Sequence, residues 1–270
     1  MTTPDVPLRL EFSVEVPGPA EQVWRAIATA SGISSWFLPT DMEEREGGKY
    51  VTHMGETDSP GVVTGWDPPR RFALEEPDWA ALAGHEGEPV TPLATEFLVE
   101  AQSGGTCVVR VVTSAFGTGA DWEREFFDEM GTYWMPFADL LRLYLTRFPG
   151  QRATTLALDA DVSGRPGAVG QAMAESLGVS DVGQAVDACG LRGRVERIGE
   201  PYLLVSVTDP VPGYFSFFAM DKDGGVASVQ VAAWLFGEDA PGFVERETPA
   251  WQAWLEGLPV ADGAASSGHR

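Results

Sequence analysis

Apolar and polar residues alternate along Leu8-Arg9-Leu10-Glu11-Phe12-Ser13-Val14-Glu15-Val16, which predicts a strand with one buried face. Pro17-Gly18-Pro19 ends it, and the period then lengthens. Val23, Trp24 and Ile27 share one side of a predicted helix, and a short second helix carries Ile33, Trp36 and Phe37 before Pro39. Two hairpins follow: residues 41–45 and 49–54 around Gly47-Gly48, then 61–66 and 71–74 around Asp67-Pro68-Pro69-Arg70. Residues 77–93, rich in proline and glycine, read as a loop. Residues 95–101 and 106–113 form another hairpin across Ser103-Gly104-Gly105. Residues 121–147 then carry a continuous helical stripe through Trp122, Phe126, Met130, Tyr133, Phe137, Leu141 and Tyr144. Asp121 is the expected N-cap, and Pro136 is expected to kink this helix.

The second half repeats the order. Gly104-Gly105, Val109, Val111 and Phe116-Gly117 recur as Gly224-Gly225, Val229, Val231 and Phe236-Gly237, all offset by 224 − 104 = 120. Upstream, Pro69 matches Pro201 at an offset of 201 − 69 = 132, so the second copy has lost 12 residues where the first has its 77–93 loop. Strands are predicted over 153–158, 191–198, 202–207, 214–220 and 226–234, with helices opening at Pro166 and at Thr248-Pro249. Little room remains before Leu191, so two strands are expected to be missing there. The domains are therefore 1–150 and 151–260, with a Gly/Ser/Ala-rich tail at 261–270 expected to be disordered.

Composition narrows the partners. Forty acidic against 18 basic residues give a net charge of −22, which disfavours nucleic acid and anionic membrane surfaces. No apolar run reaches the ~20 residues of a membrane helix. The start, Met-Thr-Thr-Pro-Asp-Val-Pro, lacks the signature of a signal peptide, and a cytoplasmic location is expected. Cys107 and Cys189 fall in different copies; two buried thiols are expected over a disulfide. Lysine occurs only at Lys49 and Lys222, a bias of GC-rich bacterial coding.

The residues Val16-Pro17-Gly18-Pro19-Ala20-Glu21-Gln22-Val23-Trp24, Ser35-Trp36-Phe37, Gly61-Val62-Val63, Asp67-Pro68-Pro69-Arg70-Arg71-Phe72 and Trp134-Met135-Pro136-Phe137 resemble the START-related (SRPBCC) superfamily. Within it they are most similar to the branch of the activator of heat-shock-protein-90 ATPase. The resemblance covers residues 8–148. It implies an α+β helix-grip fold, a curved antiparallel sheet around a long C-terminal helix, in two tandem copies with the second reduced. It also implies an apolar cavity between sheet and helix that takes a lipid or polyketide-like molecule. The candidate wall residues are Trp36, Phe37, Met54, Trp66, Phe97, Phe116, Phe127, Met130 and Trp134. Large aromatics on such a stripe also serve simply as core.

No metal-binding spacing, nucleophile elbow, phosphate loop or dinucleotide fingerprint is present, and no cofactor is expected. The candidates for chemistry are His53, as an acid or base, and Arg110, as an anion anchor; for each the outward strand position is the favoured reading. Three functions remain open. The first is non-catalytic binding of a small hydrophobic molecule in the first copy. The others are an enzyme similar to polyketide aromatase/cyclases, and a co-chaperone-like module with a protein partner or homodimer.

Overall fold

The structure, a computed structural model, describes residues 5–55, 57–223 and 225–258. The chain divides into two units, Met1–Arg152 and Ala153–Arg270.

In the first unit β1 (Val6–Pro17) leads into α1 (Ala20–Ala28) and α2 (Ala30–Ile33). Four strands follow: β2 (Thr40–Met42), β3 (Lys49–Met54), β4 (Thr57–Asp67) and β5 (Arg71–Glu76). A one-turn helix α3 (Trp79–Leu82), β6 (Leu93–Ala101), β7 (Thr106–Gly117) and the long α4 (Asp121–Arg147) complete it. The sheet runs β1-β7-β6-β5-β4-β3-β2, every pair antiparallel. Val109 and Val111 of β7 are fully buried while Arg110 between them is not, as period-two alternation requires. α4 continues unbroken through Pro136.

The second unit holds β8 (Thr154–Ser163), α5 (Pro166–Ser176), β9 (Ala185–Ala188), β10 (Leu191–Arg197), β11 (Tyr202–Asp209), β12 (Gly213–Asp223), β13 (Val226–Leu235) and α6 (Ala240–Glu256). Its sheet order, β8-β13-β12-β11-β10-β9, is the first order with one edge strand removed. Both units have the helix-grip fold, and the second is the reduced copy. Phe215 and Phe217 of β12 meet Trp251 of α6 at ring distances of 5.1 and 6.0 Å, and Phe217 meets Trp254 at 5.7 Å.

Several expectations are corrected. The second copy lacks one strand, not two, because β9 fills the short space before Leu191. The 77–93 segment is not all loop: Trp79 is completely buried within α3, and its indole Nε1 donates to the Thr91 carbonyl at 2.8 Å. α6 starts at Ala240, not Thr248, because Ala240, Phe243, Trp251 and Leu255 share its buried face. Thr248 therefore sits mid-helix, where its hydroxyl donates to the Val244 carbonyl at 2.6 Å. Cys107 is buried but Cys189 is exposed, and both are free thiols. The tail at 261–270 lies outside the described residues.

Asp121 is not the N-cap of α4. That position is Ala120, which has no acceptor, and Glu123 does the work from inside the first turn. Its Oε1 accepts from the Thr118 backbone N–H (2.7 Å) and hydroxyl (3.0 Å). Its Oε2 accepts from the N–H groups of Gly119 (2.8 Å) and Ala120 (3.1 Å). Burial alone would raise the pKa of this enclosed carboxyl, but these bonds outweigh it and leave the pKa below the usual range. The two Phe-Gly pairs of the repeat are glycine for different reasons. A Cβ on Gly117 would stand 2.3 Å from Glu123 Oε2, whereas Gly237 has φ +105° and open space around it.

Candidate functional site

A cavity of about 480 Å³ opens in the first unit between α4 and the sheet. Its position follows from side-chain phase. On β3, Tyr50, Thr52 and Met54 point into it; on β5, Leu74 and Glu76; on β6, Leu93, Thr95 and Phe97. From α4 come Phe126, Met130, Trp134 and Phe137, at i−4, i, i+4 and i+7 about Met130. Ile33, Phe37 and Leu38 close one end, and Ala81 and Leu82 of α3 reach the wall from the 77–93 segment. The volume lies within the ~300–1,000 Å³ usual for small-molecule sites, and most of the lining is apolar.

Trp79 anchors the 77–93 segment. It packs against Trp122, Phe126 and Phe127 at ring distances of 5.4, 5.1 and 5.8 Å, joining Leu8, Leu93 and Ala115 in a core patch beside the cavity. This packing joins α3 to the first half of α4. Among the described residues the second unit has no counterpart of α3. Its own cavity, about 400 Å³, lies beside α5 and the turn from Ile198 to Leu203.

Five of the nine expected wall residues line the cavity: Phe37, Met54, Phe97, Met130 and Trp134. Phe37 and Trp134 stack at 5.5 Å with planes 11° apart. The other four do not. Trp36 is buried behind the wall, its Nε1 donating to the Ala26 carbonyl at 2.9 Å. Trp66 meets Trp24 and Phe72 edge-on at 5.2 and 6.0 Å. Phe127 belongs to the Trp79 patch. Phe116 is 50% exposed, because the inward phase of β7 runs through Val109, Val111, Thr113 and Ala115.

Neither candidate for chemistry reaches the cavity. His53 alternates with Thr52 and Met54, so it faces outward. Its Nδ1 lies 2.7 Å from Asp58 and its Nε2 3.1 Å from Asp41. The hydrogen bond to Asp58, then that to Asp41, holds its pKa above the ordinary value. Arg110 donates from Nε to Glu11 Oε1 at 2.6 Å on the outer face of β7. Bonds from Arg110 and Arg9 lower the Glu11 pKa to about 2.

Residue-by-residue reading missed the polar part of the wall. Glu76 accepts a hydrogen bond from the Ser59 hydroxyl at 2.5 Å, and burial pushes its carboxyl above the usual range. Burial likewise pushes the fully enclosed Tyr50 phenol up, and the nearby Glu76 charge adds to it. Thr95 shares a hydroxyl bond with Thr113 at 3.2 Å. The period-two phase set by Met54 and Phe97 points to Thr52, Tyr50 and Thr95; nothing local singles out Glu76. Among the described residues no group of three or more His, Cys, Asp or Glu is placed to hold a metal ion. No described helix is long and apolar enough to cross a membrane.

Residues 17–145 match the family model described as Activator of Hsp90 ATPase homolog 1-like protein. The first unit is a member of that family. No curated protein matches the chain. Among solved structures, the chain is similar to CalU16 from Micromonospora echinospora, at 19% identity over 53% of this chain and 76% of that one, with a TM-score of 0.42. It is also similar to the Aha1 dimer from Colwellia psychrerythraea, at 16% identity over 51% and 96%, with a TM-score of 0.41. The di-domain ARO/CYC BexL from the BE-7585A biosynthetic pathway is similar to this chain at 15% identity over 94% and 99%, with a TM-score of 0.45. Likenesses of this depth say nothing of activity.

Proposed function

We propose that the first unit binds a small hydrophobic molecule, lipid or polyketide-like, between α4 and the sheet, without catalysing its conversion. The observation that carries this reading is the cavity of about 480 Å³, walled by Phe37, Leu74, Phe97, Met130 and Trp134. Burying an apolar ligand there gains roughly 25 cal/mol per Å² of surface removed from water. The aromatase/cyclase reading loses support, because its two named residues, His53 and Arg110, lie outside the cavity and are held by surface carboxylates. Native mass spectrometry of the protein purified from its own host, followed by organic extraction, tests the reading. A co-purifying apolar molecule that is lost from a Met130→Trp variant supports it. A wild-type protein that carries nothing and binds no apolar fluorophore overturns it.

A further inference from the structure

The cavity is apolar on nearly every side, yet the sheet wall carries one carboxyl group, that of Glu76. Glu76 is the last residue of β5 and points inward beside Leu74. Its Oε1 accepts from Ser59 on β4, which leaves Oε2 for another partner. Among the described residues no basic side chain pairs with it, whereas the strand carboxylates Glu11, Asp41, Asp58 and Glu96 each sit in an ion pair. A buried carboxyl without a cation is costly in its charged form and is stable as the neutral acid. A neutral carboxyl is a strong hydrogen-bond donor, which an acceptor on a bound molecule can use.

We propose that Glu76 is the polar anchor of this cavity, and that its ligands are extended apolar molecules bearing a carbonyl oxygen that accepts a hydrogen bond from the Glu76 carboxyl. The inference rests on the ligand-binding reading above and narrows it. Carbonyl compounds satisfy the anchor. Plain hydrocarbons offer it no acceptor, and fatty carboxylates bring a negative charge into an apolar cavity. The hydroxyls of Thr52 and Thr95 on the same wall offer further contacts to an oxygenated ligand. The other titratable groups lining the cavity are Tyr50 on β3, which burial keeps neutral, and Glu129 on α4, which lies exposed at the opposite wall.

Two fluorophores of similar size test the assignment on the full chain. One is 2-propionyl-6-dimethylaminonaphthalene, whose ketone emission reports hydrogen bonding. The other is N-phenyl-1-naphthylamine, which has no carbonyl. The wild type is expected to bind the ketone more tightly, with the hydrogen-bonded emission shift. That preference should fade as pH rises through the raised Glu76 pKa. Glu76→Gln keeps a donor and should keep the ketone preference while losing its pH dependence. Glu76→Leu should lose about tenfold in ketone affinity, equivalent to about 1.4 kcal/mol, while binding the amine probe as well as wild type or better. That control shows the variant is folded. Glu129→Gln should leave the pH dependence intact. Equal ketone binding by wild type and Glu76→Leu overturns the anchor while leaving the ligand-binding reading standing. If neither probe binds the wild type, that reading falls and the anchor falls with it.

Discussion

Replacing Glu123 by alanine removes the carboxylate that gathers three backbone N–H groups and one hydroxyl at the start of α4. The side chain is completely buried, so its partners cannot all turn to water when it goes. A hydrogen bond to a charged group contributes about 1.5–3 kcal/mol, and a donor left unmet costs about 1–3 kcal/mol. The helix dipole adds a few tenths to about 1 kcal/mol for a negative charge in the first turn. The effects overlap, and water entering the vacated space recovers part of the loss. The expected destabilisation is therefore about 3–4 kcal/mol, which is a large share of a typical domain's stability. Glu123→Gln keeps one acceptor but sets an NH₂ group against the donors of Gly119 and Ala120, and should cost about 2 kcal/mol. Urea unfolding followed by tryptophan fluorescence measures both. The pH dependence is a second check. The folded pKa of Glu123 is lowered, so its contribution is complete above the unfolded value of ~4.3 and is lost as pH falls through the folded pKa. Wild type and Glu123→Gln should converge in acid. A loss below 0.5 kcal/mol for Glu123→Ala at pH 7, or a gap to Glu123→Gln that persists in strong acid, refutes the reasoning.

Gly117→Ala should act through the same carboxylate, since its Cβ would meet Glu123 Oε2 at 2.3 Å; a cost of about 1–3 kcal/mol is expected, and a double-mutant cycle with Glu123→Ala should be strongly non-additive. Trp79→Ala should cost about 3–5 kcal/mol by emptying the centre of the Trp122, Phe126 and Phe127 cluster, measured by the same urea unfolding. Met130→Trp should fill part of the cavity, cutting N-phenyl-1-naphthylamine binding at least about tenfold while changing stability by no more than about 1–3 kcal/mol. An NMR titration should place the His53 pKa above that of a free histidine, and Asp58→Asn should bring it back down. The linked stability is present below the unfolded histidine pKa and is lost as pH rises through the higher folded value.

Strand phase carried much of the fold into the sequence. Alternation in β1 and β7, the 27-residue stripe of α4 and the fixed offset of 120 between Val109 and Val229 each reflect one repeated geometry, so each can be counted along the chain. The failures occur where tertiary contacts override local grammar. α3 has a single turn between prolines and glycines and is held by the burial of Trp79, not by helix propensity. The α6 start is hidden because Thr248-Pro249 imitates a helix entrance inside a helix that packing has already fixed. At the site, the same alternation that places Met54 inward places His53 outward, so the two could never have served together. Phe116 falls on the outward phase of β7 for the same reason. Glu76 was out of reach because whether a carboxylate at a strand end turns inward depends on the cavity beyond it.

The two copies amount to a controlled comparison built into one chain. The strand order is shared, apart from one edge strand, and a closing helix follows the same Phe-Gly turn in each. The first copy leaves its cavity against its closing helix, whereas in the second Trp251 stands directly on Phe215 and Phe217, and among the described residues the insert carrying Trp79 belongs to the first copy alone. Such an insert is a modular spacer. It packs on Leu8, Leu93 and Ala115 without adding a strand, so the wall beside the closing helix can change through one insert while the strand order that specifies the fold stays as it is. Grafting residues 77–92 into the turn between Asp209 and Gly213 would ask whether space opens beside α6 as it does beside α4.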